Sequence, residues 1–316
     1  MSIRSLPPSE LVEAARSGNR RAIGRLLTLV ERGGPTADAI TDLTHPHIGS
    51  AHVVGITGAP GAGKSTLTGQ LTRLLPERGL TPAVLAVDPS SPLSGGAILG
   101  DRVRMDGIAG EDVFIRSVAT RGHAGGLALS VPGAVRVFDA VGFDPVIIET
   151  VGVGQVEVDV VGAADTAVVV VNPGWGDAVQ ANKAGLLEVA DVFVINKADR
   201  AGANDTRRDL ELMLELSHVS GQEDESGYRP PIIMTTATDG DGITEVWAAV
   251  QAHREHLDAT GKLAARRAAR LRYEVQSRVA RIVETQIDDA ISASVLDPNI
   301  SPATHAATIA KQVTSS

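Results

Sequence analysis

The sequence contains no cysteine in its 316 residues. A disulfide framework and a metal site built on thiolates are therefore excluded. Basic residues are also scarce, with 29 lysines and arginines against 38 aspartates and glutamates and a formal net charge of −9. This acidic balance argues against nonspecific binding to nucleic acid or to an anionic membrane.

Long hydrophobic runs are missing as well. No apolar stretch reaches the roughly 18 residues that a membrane-spanning helix requires, and the first residues lack the apolar segment of a secretory signal. With 43% hydrophobic residues, the chain can still form a packed core in one large domain with additional helices. We therefore expect a soluble, cytoplasmic protein with no nucleic-acid or membrane partner.

The most informative segment that is present is a glycine-rich loop that matches the Walker A pattern GxxxxGK[ST] at every required position. A short buried strand is predicted before it, and apolar residues at helical spacing follow it. The glycines let backbone N–H groups face phosphates, Lys64 reaches the β and γ oxygens, and the Ser65 hydroxyl can bind Mg²⁺. The residues of the loop are Gly58, Ala59, Pro60, Gly61, Ala62, Gly63, Lys64, Ser65 and Thr66.

A second motif predicts which base is bound. An apolar run ends in the sequence Asn196, Lys197, Ala198 and Asp199, at the end of a strand where open α/β sheets bind ligands. This sequence resembles the NKxD box of GTPases. Guanine offers a ring N–H and an amino group to a carboxylate such as that of Asp199, and adenine lacks this pair of donors. The sequence therefore predicts GTP and GDP as ligands.

Carboxylates at other strand ends are candidates for the Mg²⁺ ion that accompanies a nucleoside triphosphate. Glu149 ends an apolar run and begins the pattern ExxG, in which Gly152 can bring its N–H to the γ-phosphate. Asp88 ends another predicted strand, and Asp101 lies in the loop that follows. Either aspartate can complete a metal shell that Ser65 and Glu149 begin.

The segment after the last predicted strand is a candidate for the base side of the site. Thr236, Ala237 and Thr238 follow the apolar run 232–234 and resemble the SA box of GTPases, whose backbone contacts the guanine oxygen. Three segments that are distant in sequence are thus expected to bind one nucleotide.

Apolar runs without polar alternation recur between helical stretches from residue 53 to about residue 250, and each predicts a strand. After the first run, which precedes the glycine-rich loop, they lie at 83–87, 113–115, 146–148, 167–171, 192–195 and 232–234. They predict an α/β fold, in which a mainly parallel sheet is covered by helices on both faces, as in P-loop NTPases. In the N-terminal part, two short helices are expected within 10–31, with a break at Gly18 and Asn19. The regions expected are a helical N-terminal extension, a P-loop GTPase domain and a helical C-terminal segment, over residues 1–50, 51–255 and 256–316.

Several segments together resemble the MeaB/ArgK group of P-loop GTPases. They are VDPSSP at 87–92, GDR at 100–102, TRGH at 120–123, ETVGVGQ at 149–155 and NKAD at 196–199. The resemblance begins at SGNRRA, residues 17–22, and extends at least to the box that contains Thr236, so it covers most of the chain. It implies a SIMIBI-class GTPase core.

Membership of this group implies a partner as well as a ligand. Its members assist adenosylcobalamin-dependent methylmalonyl-CoA mutase or a related mutase, gate the loading of the cofactor and protect the mutase from inactivation. They are homodimers that pair through C-terminal helices. The helical C-terminal segment of this chain is therefore expected to be a dimerisation segment.

The resemblance also identifies a switch loop at residues 173–180, followed by Lys183. Ras-like enzymes place a glutamine directly after the glycine of DxxG to orient the attacking water, and Val153 stands at that position here. We therefore expect slow basal hydrolysis that a partner stimulates. The candidate catalytic residues are Lys64, Glu149, Asp177 and Lys183.

Two other functions are alternatives to the mutase-associated one. A GTPase of nickel or cobalt centre assembly is expected to carry a histidine-rich tract or a CxxC pair, whereas this chain has eight scattered histidines and no cysteine. A kinase of a transport binding protein needs a carboxylate that activates the acceptor and tolerance of ATP, which Asp199 disfavours. A purely structural nucleotide-binding module differs from all of these because it releases no phosphate.

Overall fold

The computed structural model describes residues 3–88, 113–119, 124–150, 162–174, 189–219 and 227–314. The strands in these ranges are β1 (Val53–Gly58), β2 (Ala83–Asp88), β3 (Phe114–Ala119), β4 (Val146–Thr150), β5 (Thr166–Val171), β6 (Val192–Asn196) and β7 (Ile232–Thr235). They form one sheet in the order β3-β2-β4-β1-β5-β6-β7. All neighbouring strands run parallel.

Helices precede, separate and follow the strands. They are α1 (Pro8–Arg16), α2 (Arg20–Arg32), α3 (Pro35–Thr44), α4 (Lys64–Glu77), α5 (Ala124–Ala140), α6 (Ala203–Val219), α7 (Ile243–Ala259), α8 (Lys262–Ala293) and α9 (Pro302–Thr314). Within the described ranges, no helix has the length and apolar character needed to cross a membrane. The chain divides into two compact units, Met1–Arg267 and Ala268–Ser316.

The predicted α/β fold with a parallel sheet is confirmed. β1, β4, β5 and β6 are buried along their whole length, as expected for valine-rich and isoleucine-rich strands covered on both faces. β3 is longer than its apolar run predicted, because Arg116 and Ser117 interrupt the run without ending the strand. Arg116 pairs with Glu31 of α2 at 2.7 Å.

Helices pack on both faces of the sheet. On one face α2 and α5 contact each other, and their apolar residues join the buried side chains of β2 and β4 in one cluster. On the other face α4 and α7 pack over β1 and β5. α6 packs on β6 on the first face, because its cluster contains Phe193 and Ile195, which alternate along β6 with the residues of the α4 and α7 cluster.

Two of the three N-terminal helices, α1 and α2, were predicted. Asn19 separates α1 from α2 and caps α2, since its side-chain oxygen accepts hydrogen bonds from the N–H groups of Arg21 and Ala22 at 3.1 and 3.2 Å. α3 was not predicted. It begins with a proline after Gly34 and buries only Ala37, Ile40 and Thr44, a pattern too sparse to read from the sequence.

A buried polar chain lies at the amino edge of the sheet, opposite the strand ends that bind ligands. His52 Nε2 lies 2.8 Å from Thr166 Oγ1, which lies 2.9 Å from His253 Nδ1. Burial lowers the pKa of His52 to about 3, so its ring is neutral. Asp191 lies 3.2 Å from His253 and accepts two hydrogen bonds of 2.8 Å from Arg266. These contacts hold α7 and the first turns of α8 against the sheet.

Candidate nucleotide site

The glycine-rich loop lies at the carboxyl end of β1, at the edge where parallel α/β sheets bind ligands. Gly58, Gly61 and Gly63 have φ angles of 135°, 73° and 95°, a region that favours glycine. Gly63 is the N-cap of α4 and supplies no side-chain cap. The first N–H groups of α4 can therefore bind an anion, and the positive end of the helix dipole favours one.

Lys64 lies inside the loop. Its side chain is buried, and Nζ donates hydrogen bonds to the carbonyl oxygens of Gly58 at 2.6 Å and Ala59 at 3.2 Å. These carbonyls hold the ammonium group beside the loop that cradles phosphates. A triphosphate bound to the loop would bring its β and γ oxygens to this charge.

The candidate metal ligands Ser65 and Glu149 are in contact. The Ser65 hydroxyl donates to Glu149 Oε1 at 2.5 Å, and Glu149 is fully buried at the end of β4. A hydroxyl and a carboxylate beside a phosphate loop suit Mg²⁺, which prefers oxygen ligands and takes its remaining ones from phosphates and water. The described ranges contain no group of three His, Cys, Asp or Glu side chains that could hold a metal ion.

Asn196 connects the phosphate side of the site to the base side. Its Nδ2 donates to the carbonyl of Ala62 at 2.8 Å, across 134 positions of sequence. Its Oδ1 accepts from the hydroxyl of Thr235 and from the N–H of Ala237, both at 3.1 Å. The buried amide of Asn196 therefore fixes the positions of the glycine-rich loop, β6 and the loop after β7 relative to one another.

Lys197 and Asp199 lie next to this amide. Lys197 adopts a left-handed backbone with φ of 60°, and its Nζ donates to the carbonyl of Gly61 at 2.7 Å. This places the aliphatic stem of the lysine beside the glycine-rich loop. The side chain of Asp199 is exposed, so its carboxylate is accessible to a base.

The loop after β7 is short and closed by its own backbone. The Thr236 N–H donates to the carbonyl of Asp241 at 3.2 Å, and the N–H of Gly240 donates back to Thr236 at 3.1 Å. Ala237 is buried beside Asn196, whereas Thr238 is exposed further along the turn. Thr235 was not among the predicted site residues, although it precedes the box directly and its hydroxyl helps to orient Asn196.

The structure thus brings together the glycine-rich loop, Glu149, Asn196, Lys197 and Ala237. Asp101, Gly152, Asp177 and Lys183 lie outside the described residues, and Asp88 is placed by its backbone at the end of β2 but not by its carboxylate.

Replacing Gly63 with alanine is expected to weaken GDP binding by about 10- to 100-fold, corresponding to a strain of about 1–3 kcal/mol. A methyl group at this position would overlap the side-chain nitrogen of Asn196, and the left-handed backbone adds strain. Calorimetric titration with GDP measures the loss. Gly24→Ala is the matched control because nothing lies within 4 Å of the added methyl group. Equal GDP affinity in both variants would contradict the close contact.

Comparisons with known proteins agree with this geometry. A family model described as "Methylmalonyl Co-A mutase-associated GTPase MeaB" matches residues 23–293. A putative GTPase of Pyrococcus horikoshii is 47% identical over 287 residues, covering 90% of each chain. GTPase ArgK of Escherichia coli is 37% identical over 81% of this chain and 78% of its own. A fused isobutyryl-CoA mutase of Nocardia farcinica is 38% identical over 75% of this chain and 22% of the mutase.

A solved structure is similar over nearly the whole chain. The crystal structure of a LAO/AO transport system kinase superimposes with a TM-score of 0.68, at 29% identity, and the match covers 97% of both chains. The match therefore extends to the segments before and after the sheet.

Proposed function

Because the chain belongs to the family of methylmalonyl-CoA mutase-associated GTPases, we propose that it couples GTP hydrolysis to an adenosylcobalamin-dependent mutase. It is a P-loop GTPase that binds guanine nucleotides, as its relatives named GTPase and its family indicate. Its role toward the mutase is to gate the loading of the cofactor and to protect the loaded enzyme. The nucleotide part of this proposal is supported by the position of Asn196, which contacts both the glycine-rich loop and the base side of the site.

Different residues of the site support different parts of the hydrolysis reaction. Ser65 and Glu149 would hold a Mg²⁺ ion, which would supply positive charge to the phosphates. Lys64 and the first N–H groups of α4 stabilise the charge that moves onto the bridging oxygen as its bond to the γ-phosphorus breaks. With Val153 after the glycine of ExxG, no side chain at that position orients the attacking water. The basal rate of GTP hydrolysis is therefore slow, and a partner can accelerate it.

The partner is methylmalonyl-CoA mutase or a related acyl-CoA mutase. Two comparisons support this choice: the family description, and a relative in which a segment similar to this chain is part of an isobutyryl-CoA mutase. These two comparisons do not support the alternative of metal-centre assembly. The lack of cysteine also argues against that alternative.

The test is single-turnover hydrolysis of γ-labelled GTP, with and without added methylmalonyl-CoA mutase or isobutyryl-CoA mutase. We expect at least about tenfold faster phosphate release with one of these mutases, because a docked partner can complete a catalytic site. Lys64→Ala is the control, since it should abolish basal and stimulated release alike. An unchanged rate with every such mutase would refute the coupling, and transfer of label to a protein acceptor would favour the kinase alternative.

We also propose that the chain forms a homodimer through α8. Apolar side chains recur at steps of three or four residues along this helix and are between 38% and 59% exposed, which is unusual for a soluble helix without a partner. They are Leu271, Val275, Val279, Ile282, Val283, Ile287 and Ile291. Arginines dominate the helix before Ile282, and acidic residues follow it. This polarity favours two copies of α8 packed antiparallel.

Replacing Ile282 with aspartate is expected to weaken the dimer by at least about tenfold, because a charge would enter the centre of the paired face. Sedimentation equilibrium at several protein concentrations measures the dissociation constant. Val295→Asp is the matched control, since Val295 is 95% exposed beyond the end of α8. A monomeric native chain, or a dimer equally stable in both variants, would rule out this interface.

A further inference from the structure

β1 and β4 lie side by side at the carboxyl edge of the sheet, and each carries one half of the candidate metal site. β1 pairs with β4 up to Ile56 and Glu149, and with β5 up to Gly58. β1 then continues into the loop that carries Ser65, and β4 presents Glu149. The distance between these two ligands therefore depends on the distance between the carboxyl ends of the two strands.

A hydrogen bond between two side chains joins the carboxyl ends of β1 and β4. The hydroxyl of Thr150 donates to the hydroxyl of Thr57 at 3.1 Å, and both residues are at most 1% exposed. Because side chains alternate along a strand, Thr150 lies on the face of the sheet opposite Glu149. The residue next to the metal carboxylate is thus tied to β1, one position before the glycine-rich loop begins.

Packing alone does not account for two hydroxyl groups here. The positions beside them on the adjacent strands are valines, Val169 beside Thr57 and Val87 beside Thr150, and valine has nearly the same shape as threonine. A buried hydroxyl costs free energy unless it is hydrogen-bonded, and these two hydroxyls bond to each other. Their pairing fixes the position of the two strands relative to each other at their carboxyl ends.

We propose that Thr57 and Thr150 are positioning residues that hold Glu149 at the distance from Ser65 that one Mg²⁺ ion requires. The inference rests on the proposed Mg²⁺ site. Neither threonine touches the nucleotide or the metal in this role. They act through the separation of β1 and β4, which sets the Ser65 to Glu149 contact of 2.5 Å.

The test measures the release of a fluorescent GDP analogue at increasing Mg²⁺ concentration, a readout that does not depend on hydrolysis. In Thr150→Val the Mg²⁺ concentration that half-maximally slows release should rise by about tenfold, the usual effect of removing a group that orients a metal ligand. Thr150→Ser keeps the hydroxyl and should restore the native value. Release in excess EDTA should be the same in all variants.

A double variant keeps the test decisive if a single hydroxyl left unpaired disturbs folding. Thr57→Val combined with Thr150→Val removes both hydroxyls, so neither is left unpaired. Because the two hydroxyls act as a pair, the double variant should raise the Mg²⁺ requirement no further than Thr150→Val alone does. A lower melting temperature with an unchanged Mg²⁺ requirement would show a merely structural role and overturn the inference.

Glu149→Gln separates failure of this inference from failure of the metal site. If this variant raises the Mg²⁺ requirement and Thr150→Val does not, Glu149 is a metal ligand and the threonine pair does not position it. If Glu149→Gln leaves the requirement unchanged, the metal assignment and the inference both fail, while guanine binding is unaffected.

Discussion

Replacing Lys64 with alanine is expected to reduce kcat/KM for GTP by about 100- to 1,000-fold, the range measured when one donor to a developing anion is removed from a preorganised site. Its ammonium group is buried and donates to the carbonyls of Gly58 and Ala59, so its positive charge is fixed beside the glycine-rich loop. Because this charge acts more strongly on the transition state than on the bound nucleotide, most of the loss should appear in kcat.

Lys311→Ala is the matched control for this experiment. Lys311 is an exposed lysine of α9 and is far from the loop in sequence. Its removal should leave kcat/KM unchanged, which excludes a general effect of losing one positive charge. Native turnover in Lys64→Ala would show that the loop does not take part in hydrolysis.

The second large effect is expected for Asp199→Asn, which should weaken GDP binding by at least about 100-fold. Guanine would lose two hydrogen bonds to a charged acceptor, each worth about 1.5–3 kcal/mol. The same variant should gain affinity for xanthosine diphosphate, since the asparagine amide can donate to the carbonyl that replaces the amino group of guanine. Competition against a fluorescent guanine nucleotide measures both changes.

Asp205→Asn is the matched control for the change of base. Asp205 is also an exposed aspartate, its side chain is 76% exposed, and it pairs with Arg208 on the surface of α6. Its replacement should leave the preference for guanine intact. Loss of GDP affinity without any gain for the xanthine nucleotide would show that Asp199 stabilises the loop and does not contact the base.

The fold was predictable from the sequence because its central strands are apolar on both faces. Each predicted strand is present, and the predicted break at Gly18 and Asn19 lies between α1 and α2. The errors have local causes. The polar residues Arg116 and Ser117 concealed the second half of β3, and the few buried side chains of α3 produced no recognisable period.

The site was predictable in its motifs but not in the contacts between them. Each motif identifies its own residues, and the sequence alone cannot show that Asn196 holds Ala62 and Ala237 together. The same is true of the Thr57 to Thr150 contact, which joins two positions 93 residues apart. Such contacts depend on the order of strands in the sheet, and that order places β4 beside β1 although two strands intervene in the chain.

The most direct test of the nucleotide site is a comparison of GDP and ADP binding to the native chain by calorimetry, in the presence of Mg²⁺. Adenine cannot supply the two donors that the Asp199 carboxylate accepts, so ADP should bind at least about 100-fold more weakly than GDP. Equal affinity for the two nucleotides would contradict the assignment of Asn196, Lys197 and Asp199 as the guanine site.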